Sequence, residues 1–286
     1  MSAVSPRILA AALSLLLAAP VAGAQESREI ERLIVRAEIP GMADRAIDLE
    51  ARAARRFGIV VGNGDYVSAP DLRNSVADAR LVARFLRQRG YEVFERIDLD
   101  KRGFEALMRR ALFEIDRDAE VVFYFAGHGL QIGPKNYLIP VDADMSDPYD
   151  VPFEGVSLES VIRILGARAR VQMVILDSCR DNPFEDAEAF VGLSGGRQPS
   201  RPGFATQTAP VNTLLAFSTS PGAVAFDGDG ANSPFTGALI ETAAARPDAP
   251  VAAILEAVRK TVYRRTGGRQ VSWDSSTLVE PLYFDP

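Results

Sequence analysis

Two apolar runs in this 286-residue chain end in its only histidine and its only cysteine. The run Val171 to Leu176 is broken only by Gln172. Such a run predicts a strand buried on both faces of a parallel sheet. It stops at Asp177-Ser178-Cys179-Arg180-Asp181, so the cysteine falls just past the predicted carboxyl end of the strand. Glu120 to Ala126 has the same form and ends in Gly127-His128-Gly129. Open α/β sheets collect ligands and chemistry along the carboxyl ends of their strands. If the two strands are neighbours, one thiol and one imidazole share that edge.

The rest of the chain alternates strand and helix patterns. Phe57 to Gly62 reads as a first strand, and Asn74 to Arg89 as a helix stopped by Gly90. Tyr91 to Leu99 follows as a strand and Lys101 to Asp116 as a helix. After His128, residues 130–141 read as a hairpin, Asp142 to Phe153 as an acidic loop and Leu158 to Leu165 as a short helix. Beyond the cysteine, residues 181–210 form a long Gly-, Pro- and Ser-rich loop, of the kind that is functional or mobile. Asn212 to Phe217 is a further strand, helices follow from Ser233 to Ala245 and from Val251 to Arg265, and Leu282 to Phe284 is a terminal strand. Strands alternating with helices predict an α/β fold with a mostly parallel sheet. The Gly62-Asn63-Gly64 step does not continue into a dinucleotide fingerprint, because Val67 stands where a third glycine belongs.

Three segments are expected. Residues 1–24 carry Arg7, a short apolar core from Ile8 to Ala19 and an Ala22-Gly23-Ala24 cleavage pattern, which reads as a signal peptide. The expectation is therefore an exported protein, periplasmic or secreted, with no membrane attachment once the peptide is removed. Residues 25–56 read as an amphipathic helical extension, and 57–286 as the main domain. A hydrophobic content of 47% with 24% charged residues describes a globular chain rather than a disordered one. The net charge of −6 argues against nucleic acid as a partner. A single cysteine permits no internal disulfide, and a lone thiol in an oxidising compartment is a liability unless buried or used.

A thiol paired with an imidazole forms a nucleophile, and the imidazole later protonates a leaving amine. The backbone N–H groups of Gly129 and Cys179 are the candidate oxyanion donors, and the glycines flanking His128 let a carbonyl approach the main chain. Cysteine-dependent acyl transfer on a protein or peptide substrate is the economical reading, with no cofactor needed for the chemistry.

Tyr124-Phe-Ala-Gly-His-Gly129 and Asp177-Ser-Cys-Arg-Asp-Asn-Pro183 resemble the two catalytic motifs of caspase-like cysteine peptidases, most closely those of the bacterial metacaspase-like branch. The separation of about fifty residues between histidine and cysteine is the caspase spacing. Further similarity lies at Gly58–Asn63, Leu72–Asp78, Ala216–Pro221, Asn232–Thr236 and Trp273–Ser276, so the resemblance spans about residues 57–285. It implies a caspase-like three-layer sandwich with a mostly parallel six-stranded sheet flanked by helices, and a His128–Cys179 catalytic dyad. It also implies a substrate pocket lined by Asp78, Asp177, Ser218 and Trp273, with the two acids selecting Arg or Lys. Metacaspases often need calcium, so calcium is a possible activator, although Asp142, Asp144, Asp147 and Asp150 lack the spacing of a calcium-binding loop. Arg197 and Arg201 are candidate self-processing sites.

Two alternatives stay open at this point. Arg73 stands near a position where caspases carry an arginine that receives an Asp side chain, which would give acidic specificity. A catalytically quiet caspase-like domain acting as a binding module is the other. Natural substrates and oligomeric state are not legible in the chain.

Overall fold

A computed structural model of the chain describes residues 55–132, 135–144, 147, 150–179, 209–220, 228 and 230–285. The expected signal peptide, nearly all of the helical extension, most of the long loop and both Arg197 and Arg201 lie outside the described residues. Among the described residues, no helix is long and apolar enough to cross a membrane.

The elements in chain order are β1 (Arg56–Gly62), α1 (Ser75–Gln88), β2 (Glu92–Ile97), α2 (Lys101–Glu114), β3 (Ala119–Ile132), β4 (Lys135–Leu138), α3 (Val151–Glu154), β5 (Val156–Ser157), α4 (Leu158–Gly166), β6 (Ala169–Cys179), β7 (Thr213–Phe217), α5 (Pro234–Ala245), α6 (Val251–Arg265) and β8 (Trp273–Ser276). The main sheet has the order β2-β1-β3-β6-β7-β8. Its first five strands are parallel and β8 closes one edge antiparallel to β7. β4 and β5 extend the far end of β3 as a small antiparallel ladder.

Strand alternation sends successive side chains to opposite faces. Val60, Val122, Tyr124, Met173 and Ile175 pack with α1, α5 and α6 on one face. Ile59, Phe123, Phe125, Val174 and Leu176 pack with α2 and α4 on the other. This is the three-layer α/β sandwich with a mostly parallel sheet expected from the sequence. Nearly continuous apolar runs were needed because the central strands are covered on both sides.

Two expectations need correction. Leu282 and Phe284 are buried but join no strand; the Phe284 ring packs edge-on against Phe85 at 5.3 Å. Their apolar character reflects burial against α1, not pairing. The edge strand is Trp273–Ser276, whose polar Asp-Ser-Ser stretch carries no apolar signal. In addition, β6 does not stop at Leu176 but runs on through Cys179, and β3 runs on through His128 to Ile132. Pairing with each other carries both strands past their apolar runs.

Candidate active site

β3 and β6 are neighbours, and their ladder continues to its last pair, His128 opposite Cys179. The chain's only histidine and only cysteine therefore sit at one register position, at the carboxyl end of the sheet. The same ladder puts Gly127 opposite Ser178 and Ala126 opposite Asp177.

His128 is buried, and its Nε2 lies 2.7 Å from the Pro70 carbonyl oxygen. A carbonyl can only accept, so Nε2 carries a hydrogen, and in the neutral ring Nδ1 then holds the lone pair. Beside it, the Tyr66 ring stands 4.5 Å from the imidazole centroid at 55°. The His128 N–H donates to Tyr66 Oη at 2.8 Å, and that hydroxyl donates to the Ile139 carbonyl at 3.3 Å. Neither Tyr66 nor Pro70 was marked by the sequence, because nothing in an isolated Tyr or Pro signals a tertiary partner.

Gly129 pairs with Leu138 of β4, while the Ile139 N–H donates to the His128 carbonyl. That bond makes Gly129 and Leu138 a non-hydrogen-bonded pair of the antiparallel ladder. Gly129 consequently turns its N–H to the other side of β3, the side that carries β6. Gly127 is required by contact: a Cβ there would meet Tyr66 Oη and Phe125 Cζ, each at 2.7 Å.

The two acids meet at the start of α5. Ser233 is the N-cap of that helix, accepting from the Thr236 N–H at 2.9 Å. Its backbone N–H donates to both Asp78 oxygens at 3.2 Å, and Asn232 Nδ2 donates to Asp78 Oδ1 at 2.7 Å. Its hydroxyl donates to Asp177 Oδ2, which also accepts from Thr236 Oγ1 at 2.6 Å. The Tyr124 hydroxyl, fully buried beneath, is bonded to Thr236 Oγ1 at 2.7 Å. Both carboxylates are nearly inaccessible, at 1% and 6% exposure, and such burial is tolerated only when charge is compensated. Charge-assisted donors and the positive end of α5 supply that compensation. Ser233-Pro234 was readable as a helix start, but its role as joint between two acids was not.

Ser218 lies one residue past the final β6–β7 pair, beside Asp177, with its N–H bonded to the Leu176 carbonyl. Its own carbonyl accepts from Gln270 Nε2 at 2.8 Å. Trp273 is half-buried on β8 and stacks obliquely on Phe217 at 5.5 Å, with the cluster on the α2 and α4 face. The sheet thus separates its ring from the face on which the acids lie. Arg73 is exposed, in the segment leading into α1. Asp142, Asp144, Asp147 and Asp150 are exposed as well, and Asp142 Oδ1 accepts from the Lys101 N–H at the start of α2. Among the described residues, no group of three or more His, Cys, Asp or Glu is arranged to hold a metal ion.

A family model of the caspase domain matches residues 55–283. The chain belongs to the caspase-domain family. Curated relatives of this caspase-domain chain include mucosa-associated lymphoid tissue lymphoma translocation protein 1 of Homo sapiens, 24% identical over 136 residues. Its homolog in Mus musculus is 24% identical over the same length. Each alignment covers 47% of this chain and 16% of the relative, so the chain spans only a small part of the curated proteins it matches. The caspase-domain family comprises cysteine peptidases, which fits a histidine and a cysteine paired at the sheet's carboxyl edge.

Proposed function

We propose that the chain is a cysteine endopeptidase in which His128 and Cys179 act as a dyad, cleaving peptide bonds after Arg or Lys. The observation that carries the dyad is the His128–Cys179 register pair, with Nε2 held by Pro70 so that Nδ1 is the nitrogen that would take the thiol proton. The imidazole accepts the thiol proton, the thiolate attacks the scissile carbonyl carbon, and the C=O pair moves onto oxygen. Collapse of that intermediate breaks the C–N bond as the imidazolium gives its proton to the leaving amine. Water then hydrolyses the thioester with the imidazole as base. In this reading the N–H groups of Gly129 and Cys179 receive the developing oxyanion.

The Arg or Lys preference rests on Asp78 and Asp177, joined through Ser233 on the face shared by α1 and α5. Two carboxylates gathered by neutral donors favour a cationic side chain over a neutral or acidic one. Ser218, beside Asp177, lines the same pocket in this reading, whereas Trp273, packed on the opposite face of the sheet, does not. The reading places the enzyme outside the cytoplasm after signal cleavage, acting on protein or peptide substrates, with calcium as an activator to be tested.

The test is hydrolysis of fluorogenic peptides ending in Arg, Lys, Asp or Ala, with and without calcium, using Cys179→Ala as the blank. Cleavage after Arg or Lys that disappears in the blank is expected. Cleavage after Asp would keep the dyad and overturn the acid pocket in favour of Arg73. No cleavage, together with an ordinary alkylation rate of the sole thiol, would favour a quiet binding domain.

A further inference from the structure

The sheet has a seam at His128. Along β3, Ala126 is the last residue opposite β1, which ends at Gly62. The β4 ladder begins at Gly129, opposite Leu138. His128 falls between the two neighbours, with its N–H and carbonyl facing the side they share. Its carbonyl is taken up by the Ile139 N–H at 3.0 Å. Neither strand supplies an acceptor for its N–H, and the hydroxyl of Tyr66 does so instead at 2.8 Å.

We infer that Tyr66 is a positioning residue for the imidazole of His128, joining β3 to β4 at the seam and bracing the ring from the side. This inference rests on the dyad reading above. The hydroxyl is used twice, accepting from the His128 N–H and donating to the Ile139 carbonyl, which aligns the backbone on both strands. The phenol ring lies against the imidazole. Tyr66 comes from the same loop as Pro70, whose carbonyl holds Nε2. One loop therefore braces the imidazole from two directions.

That loop is itself tied down. Leu72 N–H closes it onto the Gly64 carbonyl at 3.0 Å, and Tyr66 N–H donates to Asp71 Oδ1 at 3.1 Å. Val67 N–H reaches the Val141 carbonyl at 2.9 Å. Asp98, held at a left-handed φ of 49°, accepts from the Gly64 and Asp65 N–H groups at 2.7 and 3.1 Å. A non-glycine residue in that conformation persists only where its surroundings impose it. The strain falls at the foot of the loop that carries Tyr66 and Pro70.

The full-length chain contains one histidine and one cysteine, so each is its own reporter. Tyr66→Phe keeps the ring and removes the hydroxyl. The expected result is a kcat lower by about 10- to 100-fold with KM within about twofold, as misplacement of a catalytic group gives. The single imidazole resonance should also titrate at a shifted pH when Tyr66→Phe is compared with wild type. A folded Tyr66→Phe with wild-type kcat and an unshifted imidazole would overturn the inference while leaving the dyad intact. Wild-type activity in His128→Ala would remove the dyad and the inference together. If Tyr66→Phe does not fold, Cys179→Ala alone decides. Cross-relaxation between the imidazole and the Tyr66 ring protons is then expected, and its absence overturns the proposal.

Discussion

Asp78 on the first helix and Asp177 at the end of the cysteine strand accept hydrogen bonds from one residue, Ser233. The serine splits its donors, the backbone N–H to one acid and the hydroxyl to the other. The acids are thereby held as a unit at the N-terminus of α5, where the helix dipole favours negative charge. Substrate preference, in the reading proposed above, is built from that arrangement.

Asp177→Asn keeps an oxygen for Ser233 and Thr236 but removes the charge. Cleavage after Arg should fall by about 10- to 100-fold in kcat/KM, the value of one charged hydrogen bond or ion pair. Reactivity of the Cys179 thiol toward an alkylating agent should be unchanged. Equal loss of thiol reactivity would mean that Asp177 serves the dyad instead of the pocket.

Ser233→Ala removes the cap of α5 and one donor to Asp177. Capping alone contributes about 1 kcal/mol, and the buried acid left short of a donor adds about as much again. Urea denaturation should show a loss of about 2 kcal/mol with an unchanged m-value. Ser233→Thr should recover most of it, since threonine caps through the same oxygen.

Gly127→Ala tests the packing behind the histidine. The added methyl would meet Tyr66 Oη and Phe125 Cζ well inside contact distance. Overpacking of this kind costs about 1–3 kcal/mol. The variant should melt earlier than wild type, and it should lose more peptidase activity than Gly103→Ala, whose added methyl meets Asp100 Oδ1 and Leu99 Cδ2 away from His128.

Tyr91 sets an alkaline limit. Burial pushes its phenol well above the ordinary tyrosine value, and the Arg56 guanidinium, which donates to its oxygen at 2.7 Å, only partly opposes this. Below about pH 10 the phenol is protonated in folded and unfolded chains alike, so its contribution is constant there. Above that pH the unfolded chain ionises while the folded one does not, and stability falls as pH rises toward the folded value. The decline should reach about 1 kcal/mol per pH unit and be shallower in Tyr91→Phe, as measured by urea unfolding at a series of pH values.

The central strands were legible because they are covered on both faces, which demands nearly continuous apolar runs such as Phe57–Gly62 and Val171–Leu176. The helices were legible because one face only is buried, and Ser233-Pro234 marked a start through cap chemistry. Pattern failed where burial and pairing part company. Leu282 and Phe284 are apolar because they cover α1 and α6, whereas the polar Trp273–Ser276 pairs at the sheet edge. The strand end was also misjudged, since a ladder to a neighbouring strand extends β6 through polar Asp177 and Ser178.

By itself the sequence determined which segments become the buried central strands, because side-chain burial leaves its pattern in the chain. It therefore put a histidine and a cysteine each at the carboxyl end of a buried strand. Which strands lie side by side, and hence that His128 stands opposite Cys179, was decided by the tertiary structure. So were the joining of Asp78 to Asp177 through Ser233 and the use of Tyr66 at the seam of β3. These are single hydrogen bonds between distant segments. They answer to where a donor or acceptor has been left over by the sheet, and a leftover group exists only once the strands have paired.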